Sequence, residues 1–550
     1  MDANYLQIHH KDNIIVALKD IKKWSVLQIN ETKVELKQDI GAKHKFALQD
    51  LRRGDEIFMY GVLVGTANQS ISQGEAITVD NVDHAAGGYG DKQTIVSWNP
   101  PNIEQWKDRT FMGYHRPDGK VGTCNYWVVV PLTFCENNNL DIIKEALLES
   151  LGYKPYRDFF INTKRLIARY KSGGSTQELL EERIILHPDQ MIADRVFPNV
   201  DGIKFLKHEG GCGGTREDAE ALCHLLAGYI TNPNVAGATI LSLGCQNAQI
   251  KMIREAISKK DPSFSKPIHI LEQQQSSGVD SFIAESVKKT FLGLIEANKI
   301  VRKPAPLSKL IVGLECGGSD GFSGISANPA LGYTSDLLAA LGASPVLSEF
   351  PELHGVEQDL INRCVEAESA EKFTQLMQNY AQQAKAAGSS FEKNPSPGNI
   401  RDGLVTDAMK SAGAAKKGGT SPITDVLDYT EAVTKPGLNL LCTPGNDVES
   451  TTALAGSGAN IIVFTTGLGT PTGNPITPVI KVSSNNGLSK KMEDLIDINA
   501  GTIISGEDSI ETKGEEILEY LIQVASGNIT PKAVKLNQDD FIPWKRGISL

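Results

Sequence analysis

From about residue 110 the sequence repeats one scheme: a short apolar run, a glycine-bearing loop, then a helical stretch. The runs are "NYWVVVPL", "DGIKFLKH", "GATILSLGC" and "KPIHILEQ", followed by "LIVGLEC", "SPVLSEF", "GLNLLCTPG" and "ANIIVFTTG". A strand whose chain returns through a helix re-enters its sheet in the same direction. The alternation therefore demands parallel sheets with helices on both faces. Strands buried on both faces read as unbroken apolar runs, as these do. "TREDAEALCHLLAGYIT" opens with Thr215 and Asp218 at the spacing of a capping box. A long helix is predicted from about 278 to 298, ahead of the proline-marked "VRKPAPLSK".

Residues 1 to about 85 follow another pattern. "KWSVLQIN", "TKVELKQDI" and "DEIFMYGVLVGTA" are short alternating or β-branched runs between turn residues, which predict a small β-rich unit. The polar stretch "HAAGGYGDKQTIVSWNPPNIEQW" reads as a linker. At 550 residues the chain is too long for one core. The expected fold class is α/β: a β-rich domain at 1–88, a linker at 89–109, then two α/β domains with mainly parallel sheets, at 110–304 and 305–550.

Composition excludes several functions. A net charge of -11 argues against a nucleic-acid partner, which would call for a basic stripe. No apolar run approaches 18 residues, so no membrane span is expected. "MDANYLQIHHKDN" lacks the basic start and apolar stretch of a signal peptide. The 8 cysteines show no CxxC pair and no zinc-finger spacing. Free thiols in a reducing cytoplasm are the expectation. GxSxG, HExxH, P-loop and dinucleotide fingerprints are absent.

In open α/β sheets ligands bind beyond the carboxyl ends of the strands. Residues just after the apolar runs include His208 and Cys212, Cys245, Gln273, Cys316 with Asp320, Glu349 with Glu352 and His354, Cys442, and Thr465 with Thr466. In "HEGGCGGTRED" Cys212 precedes a helix N-terminus, which favours a thiolate; the competing reading is a tight turn around a buried thiol. Packing is the usual explanation for lone strand-end cysteines such as Cys245 and Cys442, and it explains Cys223, His224 and Cys364 inside helical segments. Cys212, Cys245 and Cys316 offer three soft ligands that the fold is able to bring to one point, leaving a position open for substrate. "SEFPELHGVE" offers carboxylates and an imidazole for metal binding or proton transfer, although Glu357 reads as part of a solvated acidic loop. "FTTGLGTPTGNP" has the hydroxyls and exposed amides of an anion cradle. "NPSPGNIRDG" and the lysines of "AAKKGGTSP" read as substrate-facing, with a solvated charge pair as the alternative for the lysines.

Together "GLECGGSDGFSGISANPALG", "NPSPGN", "PGND", "TGLGTPTG", "DINAG", "HEGGCGG" and "LGCQNAQ" resemble the altronate/galactarate dehydratase family, over nearly the whole chain and in the family's order. "IHHKDNIIVAL" and "GDEIFMYGVLVGTA" resemble its N-terminal SAF domain, a β-clip fold. The resemblance is closest to full-length altronate dehydratases. It implies a hydro-lyase that converts a sugar acid to a 2-keto-3-deoxy acid with Fe2+ or a similar divalent metal, Mn2+ included, or alternatively an iron–sulfur cluster. Other readings are a galactarate-type or sulfolactate-type lyase and a non-catalytic sugar-acid-binding protein. By resemblance His9, His208 and Asp320 are candidates for catalysis, and Cys212, Cys245 and Cys316 for the metal. Ser319, Asn328, Asn394, Lys417, Thr465 and Thr466 are candidates for the substrate. Homo-oligomerisation is left open. The chain departs from the family pattern at Thr78 and Asp80 (for histidines), Cys124 and Leu468 (for arginines), Ala414 (for cysteine) and His354 (for an apolar residue).

Overall fold

A computed structural model describes residues 4–154, 160–186 and 194–546. The N-terminal unit is built of short antiparallel strands. Its four-stranded sheet includes Ile14–Ala17 and Lys45–Ala47, and a three-stranded sheet is built around Val62–Ala67.

The alternating region forms two parallel sheets. The first takes β1 (Tyr126–Pro131), β2 (Gly202–Phe205), β3 (Val235–Ser242) and β4 (Ile268–Glu272) in the order β2-β1-β3-β4, every pair parallel. Its helices include α1 (Asn137–Ser150), α2 (Arg216–Thr231), α3 (Ile250–Lys260) and α4 (Val279–Ala297). The Thr215 hydroxyl accepts from the Asp218 amide at 3.1 Å, which is the N-cap half of the expected capping box.

The second sheet has seven strands, all parallel. In chain order they are β5 (Ile311–Cys316), β6 (Ser344–Leu347), β7 (Ile423–Leu427), β8 (Leu438–Leu441), β9 (Ile461–Thr466), β10 (Val479–Ser483) and β11 (Ile498–Asn499). Their spatial order is β7-β8-β6-β5-β9-β10-β11. Among its helices are α5 (Ala327–Ala340), α6 (Asp407–Ala414), α7 (Asp447–Gly456) and α8 (Ile510–Ala525).

The three units share cores. Leu225 and Leu226 of α2 are buried in one cluster with Leu454 of α7 and Ile462 of β9. The backbones of α2 and α7 touch: a Cβ on Gly228 would stand 1.8 Å from the Gly456 carbonyl oxygen. Met59 and Val64 of the N-terminal unit join Phe322, Ile325 and Met409 in another cluster. The stretch read as a linker lies along the third unit. The Gly90 amide donates to Gln358 at 3.0 Å, the Gln93 amide to Asn362 at 3.0 Å and the Trp98 indole to Thr420 at 3.2 Å, while Trp106 is buried.

Candidate active site

The carboxyl ends of β5 and β6 gather a buried ionic cluster. Cys316 ends β5, and Glu349 and Glu352 follow β6, all three buried. Their ligand atoms lie within 4.8 Å of one another. Glu349 holds a left-handed backbone, φ 66°, which aims its carboxylate back at the sheet; its amide donates to the Thr443 hydroxyl at 2.8 Å. Such a backbone in a residue with a side chain costs on the order of 1–3 kcal/mol and marks a position fixed by its surroundings.

Two lysines close the cluster. Lys417, buried, donates to Cys316 Sγ at 2.8 Å and to Glu349 Oε2 at 2.5 Å. Lys410, on α6, donates to Glu352 Oε1 at 2.6 Å and also to Asn394 Oδ1. Although burial opposes the charge on Lys417, Cys316 and the surrounding carboxylates hold its pKa well above the usual lysine range. Burial pushes Glu349 up to about 7 against the pull of Lys417. Burial likewise pushes the Cys316 thiol up, with Glu349 adding to it. Glu349 Oε1 is buried with no hydrogen-bond partner.

Asp447, in the first turn of α7, completes this wall. A Cβ on Gly317 would stand 2.1 Å from its carboxylate, so the glycine after Cys316 is what admits Asp447 to the strand end. Burial and then Glu352 push Asp447 up to about 6. Asp320 is buried beside the neighbouring turn, accepting from Ser323 Oγ at 2.9 Å, Ser484 Oγ at 2.8 Å and Asn485 Nδ2 at 3.1 Å. Lys43 of the N-terminal unit reaches across to pair with it at 3.0 Å.

The other expected site residues divide into two groups. Lys417 and Asn394 join the cluster. Thr465 Oγ1 donates to Asn328 Oδ1 at 2.6 Å, and Thr466 Oγ1 accepts from the Gly469 amide at 2.9 Å, so both shape the strand-end turns. Ser319 is buried and offers its carbonyl to Asn399 Nδ2 at 2.7 Å. The expected gathering of three thiols does not form: among the described residues Cys212 and Cys245 belong to no ligand group with Cys316. They follow β2 and β3 of the four-stranded sheet, whereas Cys316 ends a strand of the seven-stranded one. His208 spends both ring nitrogens on backbone, Nε2 donating to the Pro131 carbonyl at 2.7 Å and Nδ1 accepting from the Gly210 amide at 3.1 Å. Burial pushes its pKa down to about 4, so the ring is neutral, and it has no nitrogen free to take a substrate proton. His9 packs under the turn at Gly61, where an added Cβ would meet its ring at 2.7 Å. Glu357, read as solvated, is buried and accepts from His354 Nδ1 at 2.8 Å.

Sequence reading missed Lys410, Asp447 and Lys43. Asp447 stood inside the quoted "PGND" motif, whereas a lone lysine in "TDAMKSAGA" carries no local signal.

The model of the D-galactarate/altronate dehydratase C-terminal domain matches residues 307–549. The models of the D-galactarate dehydratase/altronate hydrolase second domain and the altronate/galactarate dehydratase SAF domain match 113–298 and 3–85. The chain belongs to the altronate/galactarate dehydratase family. An altronate dehydratase of Bacillus subtilis is 34% identical over 553 residues, with 100% of both chains covered. One from Escherichia coli is 32% identical, covering 96% of each chain. An Escherichia coli galactarate dehydratase (L-threo-forming) is 30% identical, covering 96% of this chain and 93% of its own. As a member of this dehydratase family the chain is a hydro-lyase with an N-terminal SAF domain.

The departures from the dehydratase pattern fall at different distances from the site. Cys124 lies just before β1, at the amino-terminal end of that strand, where its carbonyl accepts from Arg116. Leu468 lies on the glycine turn itself, its amide donating to the Gly318 carbonyl at 2.9 Å.

Proposed function

We propose that this hydro-lyase removes water from an altronate-type aldonate to give a 2-keto-3-deoxy acid, and that it depends on a divalent metal, Fe2+ or Mn2+. The observation that carries the reading is the buried Cys316–Glu349–Glu352 cluster faced by Lys410 and Lys417 at the strand ends of a dehydratase-family sheet.

The donor set suits a divalent ion: one thiol and two carboxylates, with Glu349 Oε1 buried and unpaired. A single thiol among the donors favours a mononuclear ion over an iron–sulfur cluster, which is held by several thiolates. When bound, the ion supplies a positive charge for the enediolate and assists departure of hydroxide. Lys417, held protonated, adds a fixed positive charge where negative charge develops. Asp447 is half-buried, and burial raises its pKa to about 6, a range suited to a general base that takes the proton next to the substrate carboxylate. Lys43 and Asp320 lock the SAF domain against the turn, excluding water from that side.

The test is metal analysis of anaerobically purified protein, followed by a keto-acid assay over a panel of aldonates and aldarates. The reading expects about one equivalent of metal at this site, lost in Cys316→Ala, and 2-keto-3-deoxy product from an aldonate. Absence of keto-acid from every acid with metal supplied would sink it.

A further inference from the structure

A second group of ligands stands where the SAF domain meets the third unit. His84 follows the last SAF strand, His354 follows the short helix that carries Glu352, and Asp407 opens α6. Their ligand atoms lie within 4.8 Å of one another, and the two imidazoles stack with centroids 5.6 Å apart. Two buried, unpartnered atoms in the group suit a cation. Asp407 is 1% exposed, and its Oδ2 has no hydrogen-bond partner. His84 Nδ1 is also buried without a partner. An unpaired buried carboxylate oxygen facing two imidazoles is costly unless it takes up a proton or something positive binds between them.

The surroundings complete the argument. His354 Nδ1 donates to Glu357 at 2.8 Å, and the other Glu357 oxygen accepts from the Gly355 amide at 2.6 Å. A carboxylate on one ring nitrogen fixes the tautomer and leaves Nε2 as the lone-pair donor, the arrangement that supports metal-bound histidines. An open cleft of about 570 Å³, whose lining includes His84, Ala86, Tyr89, His354, Gln378 and Glu392, brings solvent up to the two imidazoles. Two imidazoles and one carboxylate with an open side form a donor set for Fe2+, Co2+ or Zn2+, unlike the thiol-and-carboxylate set around Cys316.

We infer that His84, His354 and Asp407 bind a second divalent transition-metal ion, distinct from the Cys316 cluster, which ties the SAF domain to the third unit. The ion is coordinated by ligands from both sides of the interface, so it also clamps the two units.

Anaerobic Co2+ titration of the full chain tests this, because cobalt reports its ligands. A thiolate site gives an intense near-ultraviolet charge-transfer band, whereas a site of imidazole and carboxylate gives visible d–d bands alone. His354→Leu and Asp407→Asn are each expected to lose about one equivalent of Co2+, or to weaken its binding at least tenfold, while any thiolate band stays. Cys316→Ala is expected to keep the equivalent that lacks a thiolate band. If His354→Leu and Asp407→Asn fold as judged by circular dichroism and bind Co2+ with unchanged stoichiometry and spectrum, the second site does not exist. None of these readouts uses turnover, so a failed dehydratase assay leaves the result intact.

Discussion

At the residue scale, burial sets the chemistry of single groups. Asp447 owes its raised pKa to desolvation first and to Glu352 second, which places its ionisation near 6. Asp447→Asn keeps the shape and removes the carboxylate proposed as the base. We expect kcat to fall by about 10²–10⁴, with the rise in rate between pH 5 and 7 lost, in steady-state profiles over that range. Lys481 on β10 makes the opposite case. It is fully buried, its Nζ has no hydrogen-bond partner, and it lies 3.7 Å from the centre of the Phe464 ring. Burial pulls its pKa down from 10.5 to about 7. The unfolded chain therefore binds a proton that the folded chain lacks between those values. Stability is lost as pH falls from about 10.5 to 7, and the penalty is largest at and below 7. Lys481→Met should raise the melting temperature by roughly 2–5 °C at pH 7, the gain shrinking towards pH 10, as scanning calorimetry will read.

At the element scale, the two sheets communicate through α2 and α7. The Gly228 contact leaves no room for a methyl group, because its neighbour is a backbone carbonyl at 1.8 Å. Gly228→Ala should destabilise the protein by about 1–3 kcal/mol through forced separation of the helices. Gly456→Ala faces the end of a Leu225 side chain at 2.5 Å, which is able to rotate, and should cost less. Urea unfolding of the two variants side by side checks the order; equal costs would mean that the helices yield as easily as a side chain. The strands themselves were legible from sequence, since unbroken apolar runs alternating with helices admit parallel sheets and little else. Legible too was which residues sit at strand ends, Cys316, Glu349 and Thr465 among them. Strand order was not, and it separated Cys212 and Cys245 from Cys316 by assigning them to another sheet.

At the scale of the whole molecule, the SAF domain is part of the site's wall. Lys43 pairs with both Asp320 and Asp402 at 3.0 Å, and buried Lys45 donates to the Gly403 carbonyl at 2.6 Å. Burial lowers Lys45 to about 7, so this anchor holds without requiring a full charge. Lys43→Gln removes the ionic half of the docking and leaves Asp320 buried without its cation. Hydrogen exchange over residues 317–323 should quicken at least tenfold, with protection in β1 and β3 unchanged. Unchanged exchange at the turn would show that Asp320 is held by its hydroxyl and amide partners alone.

The sequence by itself determined the parallel α/β architecture, the small β-rich start, the family and the glycine-lined strand end that presents Cys316. These are encoded locally, in runs, turns and motifs that read the same wherever the chain places them. Tertiary structure alone decided which ligands meet. Lys410, Lys417, Glu352 and Asp447 come from separate segments, as do His84, His354 and Asp407, and strand order and domain docking set their distances. Burial, which moves Asp447 to about 6 and Glu349 to about 7, is likewise a property of the packed molecule, because desolvation depends on every neighbour at once.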